Sequence, residues 1–468
     1  MLSRYGASST PGSDHGGAGA GGRSSAVRWG LTAAASAALM TASAGCSGSQ
    51  GLATIPTPIG ATATPHRLTS GTPVATPTPS PQAPTTPPPA APSSWTLVPS
   101  PDPPLGAGSQ LNAVTCVSAA DCWAVGFAGG ASGASVTTGT TLIEQDAGSG
   151  WAIVSSPDPS GAEGSTLQAV TCAGAGDCWA VGYSTDSNLN ASTLIEQDTG
   201  SGWTIVPSPT PSGGGELLGV GCAGADECWA VGYATDPSFN SYALIEEDSA
   251  SGWAVVPTPT PSGEPSGQLN AVSCASASDC WAVGYASTVG GTPLTLIEQD
   301  TGSGWKLISS PNAPGAGEPS ALDGVSCATP DSCWAVGTSG ASNAWYALIE
   351  EDTGSGWTIV PSPTVSVGSG GWLDALAAVS CASGGDCWGA GLLESGLTLS
   401  GAADEFTLIE AYAGGGWLMV SSPNPPDATG IALSGVSCVS GGDCWAVGSY
   451  QDGNGNLQSL IEQSTGSG

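Results

Sequence analysis

From residue 95 onward, short runs of β-branched, aromatic and leucine residues alternate with polar positions and are cut every few residues by Gly, Ser, Pro or Asp. A period of two is the mark of half-buried strands, and punctuation this dense leaves no stretch long enough for an amphipathic helix. In one segment the pattern predicts four strands, a to d, over residues 167–172, 178–183, 193–198 and 203–207.

The same four runs recur. Each unit has a leucine strand ending in Cys, five residues, Cys-Trp-Ala-Val-Gly or a close variant, a variable loop, Leu-Ile-Glu, a Gly/Ser turn and Trp. The first cysteines are Cys116, Cys172, Cys222, Cys274, Cys327, Cys381 and Cys438, spaced by 50 to 57 residues. Seven units of four strands, each slightly longer than an ordinary propeller repeat, predict an all-β, seven-bladed β-propeller.

The phasing adds a detail. There are seven Leu-Ile-Glu strands, ending at Glu144, Glu196, Glu246, Glu298, Glu350, Glu410 and Glu462, and seven turn-following tryptophans, Trp95, Trp151, Trp203, Trp253, Trp305, Trp357 and Trp417. The first tryptophan strand precedes any a strand, whereas the seventh unit stops at Ser467-Gly468 without one of its own. The N-terminal strand is therefore expected to complete the last blade and close the ring, removing exposed sheet edges.

Fifteen cysteines divide into Cys46 and seven Cys-x5-Cys pairs: Cys116/Cys122, Cys172/Cys178, Cys222/Cys228, Cys274/Cys280, Cys327/Cys333, Cys381/Cys387 and Cys438/Cys444. One disulfide per blade, joining strands a and b, is expected, each worth about 2 kcal/mol by loop closure. Their expected role is that of staples across a short loop. Zinc sites favour tighter Cys spacing with a second pair or a histidine, so no metal is assigned to them.

Charge narrows the chemistry. The chain has 5 Lys plus Arg against 38 Asp plus Glu, a formal charge of −33. Arg4, Arg23, Arg28, Arg67, His15 and His66 all lie in the first 67 residues, so Lys306 is the lone base after them. Nucleic acid is excluded as a partner because nothing neutralises phosphates. Imidazole-based nucleophile systems and guanidinium capture of anions are excluded from the repeat region for the same want of side chains.

The N-terminus is organised differently. Residues 1–46 predict an export signal, with Arg23 and Arg28 before an apolar run over 29–44 that is short for a membrane span. Ser43-Ala44-Gly45-Cys46 resembles the bacterial lipobox, with Ser43 where that motif usually has Leu. The resemblance implies lipidation at Cys46 and a lipid anchor at the outer face of a bacterial membrane; soluble secretion and an uncleaved anchor are the alternatives. Residues 47–94, dominated by Pro, Thr, Ala and Ser, predict a disordered, semi-stiff stalk, and 95–468 the propeller.

Asp198-Thr199-Gly200-Ser201-Gly202-Trp203, at a c–d turn, resembles the Asp box of sialidase-type β-propellers, in which Asp, Gly and an aromatic fix the hairpin between third and fourth strands. Asp146, Asp248, Asp300 and Asp352 repeat it, while Tyr412 and Ser464 depart. The resemblance implies the fold. Sialidase activity is another matter, because that family holds its carboxylated sugar with three arginines and none follows Arg67 here. The combination of Cys-Trp-Ala-Val-Gly with Leu-Ile-Glu also resembles exported bacterial repeat proteins of unassigned function.

Acids repeated seven times cannot be seven active sites. The Leu-Ile-Glu glutamates are expected at the end of strand c, bonding turn amides or facing solvent, and the acid before the second Cys in six units (Asp121, Asp177, Glu227, Asp279, Asp386 and Asp443) is expected to cap the a–b loop. Asp186-Ser187-Asn188-Leu189-Asn190, echoed at 236–240 and 452–456, is compatible with calcium as well as with a plain polar turn. No other cofactor is indicated.

Function is expected where the repeat breaks, on the face shared by the variable d–a and b–c loops. Trp345, in a b–c loop, and Trp372, in the following d–a loop, stand outside the repeat on neighbouring blades, with Tyr346, Asp374, Glu394, Asp404 and Glu405 beside them. They either pack blade edges or form a ligand site for a cell-surface glycan or protein. The expectation is a monomeric, non-enzymatic binding module. The alternative is a glycoside hydrolase or lyase that needs only two carboxylates.

Overall fold

The computed structural model describes residues 94–466 apart from 102, 104–107, 130–138, 239, 250, 260–265, 313–317, 342–343, 364–371, 396–403 and 413. The predicted signal, Cys46 and the stalk up to residue 93 lie outside the described residues. Those described contain twenty-eight strands and no helix.

The first strand, β1 (Ser94–Val98), stands apart from the sheet that follows it. Sheet one contains β2 (Ser109–Ser118), β3 (Asp121–Ala128), β4 (Thr140–Asp146) and β5 (Trp151–Val154). Sheet two contains β6 (Gly164–Gly174), β7 (Asp177–Thr185), β8 (Ala191–Asp198) and β9 (Trp203–Val206). In sheet three these are β10 (Gly215–Gly224), β11 (Glu227–Thr235), β12 (Ser241–Glu247) and β13 (Ala254–Val256). Sheet four follows with β14 (Ser266–Ser276), β15 (Asp279–Ser287), β16 (Pro293–Asp300) and β17 (Trp305–Ile308). Sheet five is β18 (Ser320–Thr329), β19 (Ser332–Ala341), β20 (Ala344–Asp352) and β21 (Trp357–Val360). Sheet six is β22 (Trp372–Ser383), β23 (Asp386–Ser395), β24 (Asp404–Tyr412) and β25 (Trp417–Val420). Sheet seven takes β26 (Thr429–Ser440), β27 (Asp443–Gln451) and β28 (Leu457–Thr465) from the end of the chain and its fourth strand from the beginning. There β1 runs antiparallel to β28, with Trp95 opposite Ser464.

Each a–b hairpin carries the expected disulfide: Cys116–Cys122, Cys172–Cys178, Cys222–Cys228, Cys274–Cys280, Cys327–Cys333, Cys381–Cys387 and Cys438–Cys444. The paired cysteines are directly opposed across the ladder, with Cα atoms 4.0–4.1 Å apart. These staples are the expected ones, and the structure adds a second role to them. The first cysteine of each pair is half-buried, but Cys122, Cys178, Cys228, Cys280, Cys333, Cys387 and Cys444 are fully buried. Each of these seven sits in an apolar cluster with the strand a leucine of its own sheet and the b-strand tryptophan of the preceding one, as Cys178 does with Leu167 and Trp123. The reason is the alternation of strand b, which turns the residue after the acid inward along with the Ala two positions on. The second cysteines are thus core residues between sheets.

Next to the buried leucine of every a strand the ladder skips a residue: Asn112, Gln168, Leu218, Asn270, Asp323, Ala377 and Ser434. These bulges explain the glycine of Cys-Trp-Ala-Val-Gly. A Cβ on Gly126 would sit 1.9 Å from the Gln110 carbonyl oxygen, and the glycines at the same place in the other six sheets meet strand a as closely. The bulge residues line one cavity of about 170 Å³ to which all seven a strands contribute.

Tryptophans join sheet to sheet. The d-strand indole of one sheet meets the b-strand indole of the preceding sheet edge to face, as in Trp203 on Trp123 and Trp253 on Trp179 at centroid distances of 5.4 and 5.3 Å. Positive ring edges against negative ring faces make this the favoured geometry for aromatic pairs. The series continues through Trp95 on Trp388 and Trp151 on Trp445, so sheet seven contacts sheet one as any neighbours do. Trp95 is 4% exposed. Trp95→Ala should therefore cost about 3–5 kcal/mol in chemical denaturation, as Trp203→Ala should; a loss below about 1 kcal/mol would mean that β1 is dispensable.

The Leu-Ile-Glu glutamates correct an expectation. They neither reach the turn amides nor face water; all seven are fully buried. Their partner is the hydroxyl of the Ser-Pro step after strand d of the preceding sheet. Ser156 donates to Glu196 (3.1 Å), Ser208 to Glu246 (3.0 Å), Ser310 to Glu350 (3.2 Å), Ser362 to Glu410 (2.9 Å) and Ser422 to Glu462 (2.7 Å). Ser100, after β1, donates to Glu144 of sheet one (2.9 Å). Glu298 is the exception, since its sheet is preceded by Thr258, whose hydroxyl turns to the Ala243 carbonyl, and neither Glu298 oxygen has a partner among the described residues. Burial raises the pKa of Glu196, Glu298, Glu350 and Glu410 to about 8, and of Glu246 and Glu462 to about 7, against the donating hydroxyls where these exist. Glu196, Glu298, Glu350 and Glu410 are thereby held mostly as neutral acids at pH 7, and Glu246 and Glu462 titrate there.

Candidate functional site

The c–d turns are tied by aspartate, as their sequence suggests. One carboxylate oxygen accepts the N–H groups of the glycines two and four residues on, at Asp146, Asp198, Asp300 and Asp352. Sheet three departs: there Gly252 donates to the Ser249 carbonyl, and the Asp248 backbone N–H donates to Cys228. The acid before the second cysteine takes more than one role: Asp443 accepts the Ser440 hydroxyl within its a–b loop (2.8 Å), as expected, whereas Asp279 receives the Gln299 amide of strand c (2.9 Å).

At the opposite end, the b–c turns at Asp186, Asp236 and Asp452 are self-contained. Asp186 accepts N–H bonds from Asn188 and Asn190 (2.8 and 3.0 Å) and the Asn190 side-chain amide, and these bonds lower its pKa to about 2. Asp236 and Asp452 repeat the arrangement. The aspartate of the pattern read as a calcium candidate thus holds its own turn.

Trp345 and Trp372 do not lie in loops. Strands β19 and β20 extend into a hairpin with residues 342–343 between them, so Trp345 is inside β20, and β22 begins at Trp372. Asp374, Glu394, Asp404 and Glu405 likewise belong to strands. The longer strands have a consequence. The start of β20 pairs in parallel with the start of β22, Ala344 opposite Trp372 and Trp345 opposite Leu373, and fuses sheets five and six into one eight-stranded sheet. Among the described residues no other pair of neighbouring sheets is joined in this way.

The pairing sets two rows across the junction. Trp345, Leu373, Glu394 and Glu405 are successive cross-strand partners, and beside them run Ala344, Trp372, Ser395 and Asp404. The side chains of Trp372 and Asp404 lie outside the described residues. Trp345 is half-buried and Tyr346 exposed; Asp374 is buried, with one carboxyl oxygen unpartnered and its pKa raised to about 6 by burial. Glu394 and Glu405 face each other directly, and burial first, then the charge on Glu405, raises the pKa of Glu394. Glu405 also accepts the Gly430 N–H of sheet seven. Like charges opposed across a ladder destabilise it, and the contact to Gly430 offsets part of that cost.

The bulge ring in the cavity is a further polar position that the repeat pattern does not mark. Asn112 reaches across to the Leu167 carbonyl (2.7 Å), and Asn270 to the Leu322 carbonyl (2.8 Å) and to Asp323 (3.1 Å). Burial raises the pKa of Asp323 to about 8. The variation at this place within an otherwise constant strand was the available signal.

No protein-family model matches the chain. No curated protein matches it either. Among solved structures, YCF48 from Cyanidioschyzon merolae is similar with a TM-score of 0.45 and 14% identity over 80% of this chain and 99% of that one. The BP39L lectin from Burkholderia pseudomallei gives a TM-score of 0.44 and 14% identity, over 77% of this chain and 97% of the lectin. Trypanosoma rangeli sialidase gives 0.42 and 12%, over 76% of this chain and 55% of the sialidase. At these values none of the likenesses assigns a ligand or a reaction.

Proposed function

We propose that the chain is a closed seven-bladed β-propeller that acts as a non-enzymatic binding module, displayed at the outer face of a bacterial membrane by a lipid on Cys46 and the stalk at 47–94. The β1–β28 pairing and the cavity lined by all seven a strands support closure. Seven disulfides fit an oxidising, extracytoplasmic location. The ligand is a cell-surface glycan or protein held at the junction of sheets five and six, by a protein that is monomeric and needs no metal.

The observation that carries this reading is the parallel pairing of β20 with β22, which gathers Trp345, Trp372, Glu394 and Glu405 where the repeat is broken. Aromatic rings give rigid amphipathic area at little entropic cost, suited to a sugar face or a protein anchor. The test is the full chain on arrays of immobilised polysaccharides and of cell-surface proteins, compared with the Trp345→Ala/Trp372→Ala double variant. Binding should fall by about tenfold or more with the thermal midpoint nearly unchanged. A double variant that unfolds early yet keeps full affinity in its folded fraction would place both tryptophans in the core and the site elsewhere.

The facing Glu394 and Glu405 support the second reading, since residues directly opposed on neighbouring strands suit a two-carboxylate glycosidase or lyase. Turnover of a polysaccharide by the wild-type chain, abolished by Glu394→Gln or Glu405→Gln, would establish it in place of the first.

A further inference from the structure

The bulge sets one residue of every a strand against a shared cavity, and the fold does not dictate what that residue is. In sheets one to seven it is Asn112, Gln168, Leu218, Asn270, Asp323, Ala377 and Ser434, so amides, an aliphatic chain, a methyl group and a hydroxyl all serve. An acid stands there once. Asp323 is 8% exposed, and among the described residues its carboxyl accepts one hydrogen bond, from the Asn270 amide to Oδ1 at 3.1 Å. The second oxygen, Oδ2, accepts none from them.

Asn270 does not need the acid. The same amide donates to the Leu322 carbonyl (2.8 Å), and Asn112 makes the matching bond to the Leu167 carbonyl (2.7 Å) between sheets one and two, where the next bulge residue is Gln168. Bridging from sheet to sheet therefore works without a carboxyl. A buried acid with an unmatched oxygen costs stability, and Ser or Ala at this place avoids the cost.

The surroundings decide what matches it. The cavity measures about 170 Å³, and an engineered protein cavity of roughly 150 Å³ takes up benzene. Alanine, glycine and valine make most of its wall, Val114 and Val325 among them, while Gln168 and Ser434 add polar groups. Asp323 is the one titratable residue among those lining it, so an anion meets no positive group there. A hard divalent ion takes roughly six to eight oxygens, yet the side-chain oxygens of Asn112 and Asn270 already accept the Gln110 and Gln268 amides (2.8 and 2.7 Å). One carboxylate beside an aliphatic wall suits a cation that carries hydrocarbon of its own.

We propose that this cavity binds a small organic ammonium ion, its nitrogen paired with Asp323 Oδ2, its spare N–H groups turned to the polar side chains of the ring and its methylenes against the valine and alanine wall. The ion supplies the missing partner through a charge-assisted hydrogen bond, and a chain of formal charge −33 concentrates cations around itself. Burial raises the pKa of Asp323 to about 8, so at pH 7 the incoming ion displaces the carboxyl proton, which leaves to solvent. The cavity is separate from the junction of sheets five and six, and this inference stands or falls without the binding reading above.

The experiment is calorimetric titration of the full chain with butylammonium at pH 7, with 1-butanol and calcium as comparison probes. One butylammonium should bind per chain and release about one proton, read from titrations in two buffers of different ionisation heat. Butanol, with the same stem and no charge, should bind at least about tenfold more weakly. Asp323→Asn keeps the side-chain shape and an oxygen for the Asn270 amide; it should weaken amine binding about tenfold or more at an unchanged or higher thermal midpoint. Trp345→Ala/Trp372→Ala should leave amine binding as it is. Should Asp323→Asn fold poorly, the proton count in the unaltered chain still decides, since binding without proton release overturns the proposal. Several weakly held ions per chain, unchanged in Asp323→Asn, would assign the amine to the acidic surface and overturn it too. So would equal affinity for butanol, no binding of butylammonium at about 50 mM, or a calcium complex that depends on Asp323 and excludes the amine.

Discussion

Thermal stability should be greatest in mild acid and fall by at least about 10 °C between pH 5 and pH 8. Six buried glutamates have folded-state pKa values near 7 or 8, against an ordinary 4.5 that the unfolded chain recovers. Below pH 4.5 both states hold these protons and the groups are neutral with respect to folding. As pH rises from there toward 8, the unfolded chain releases protons that the folded one keeps, and each group removes about 1.4 kcal/mol per pH unit. Above the folded values the loss levels off. Charge repulsion among 38 acids would push in the same direction, so a variant must separate the causes. Glu298→Gln, at the glutamate with no hydroxyl donor, should raise stability by about 2–4 kcal/mol at pH 8 and hardly at all at pH 5. An equal gain at both values would assign the pH dependence to surface charge.

Reduction should unfold the protein at physiological temperature. Each disulfide closes a short a–b loop and is worth about 2 kcal/mol by chain entropy, so the seven together represent on the order of 14 kcal/mol, as much as the whole stability of an ordinary domain. The second cysteine of every pair is fully buried, which keeps the bridges from reductant until the hairpins open. Reductant with a low denaturant concentration should therefore produce cooperative loss of structure after a lag, followed by near-UV dichroism. Retention of the oxidised midpoint to within a few degrees after full reduction would show the bridges to be ornamental.

The parts legible in the sequence were those repeated in every unit. Cys-x5-Cys marked the a–b hairpins, and the orphan strand at Trp95 announced its pairing with β28 through phasing alone. The burial of Cys178 and its six counterparts was not announced in the same way, because it depends on the neighbouring sheet that covers strand b. The Ser-Pro to Glu contacts were not legible either, although both members also repeat, because donor and acceptor are 38 to 48 residues apart in different units and the serine looks like linker. Nothing local says that Leu-Ile-Glu is buried by the sheet before it. At the candidate site the sequence singled out Trp345 and Trp372 by their irregularity, but placed them in loops. Their pairing depends on how far β20 and β22 extend, which sequence patterning marks poorly where aromatic residues break the alternation.

The strand borrowed by sheet seven also decides how the fold bears load. The strand β1 begins at Ser94, so a pull applied at that point acts first on its five residues. Resisting it are the ladder from Ser94–Thr465 to Val98–Ile461, the Trp95 indole lodged against Trp388, and the Ser100 hydroxyl held by Glu144 in sheet one. Those contacts reach sheets six, seven and one together, so a force entering at one point is spread over three sheets before any of them has to yield.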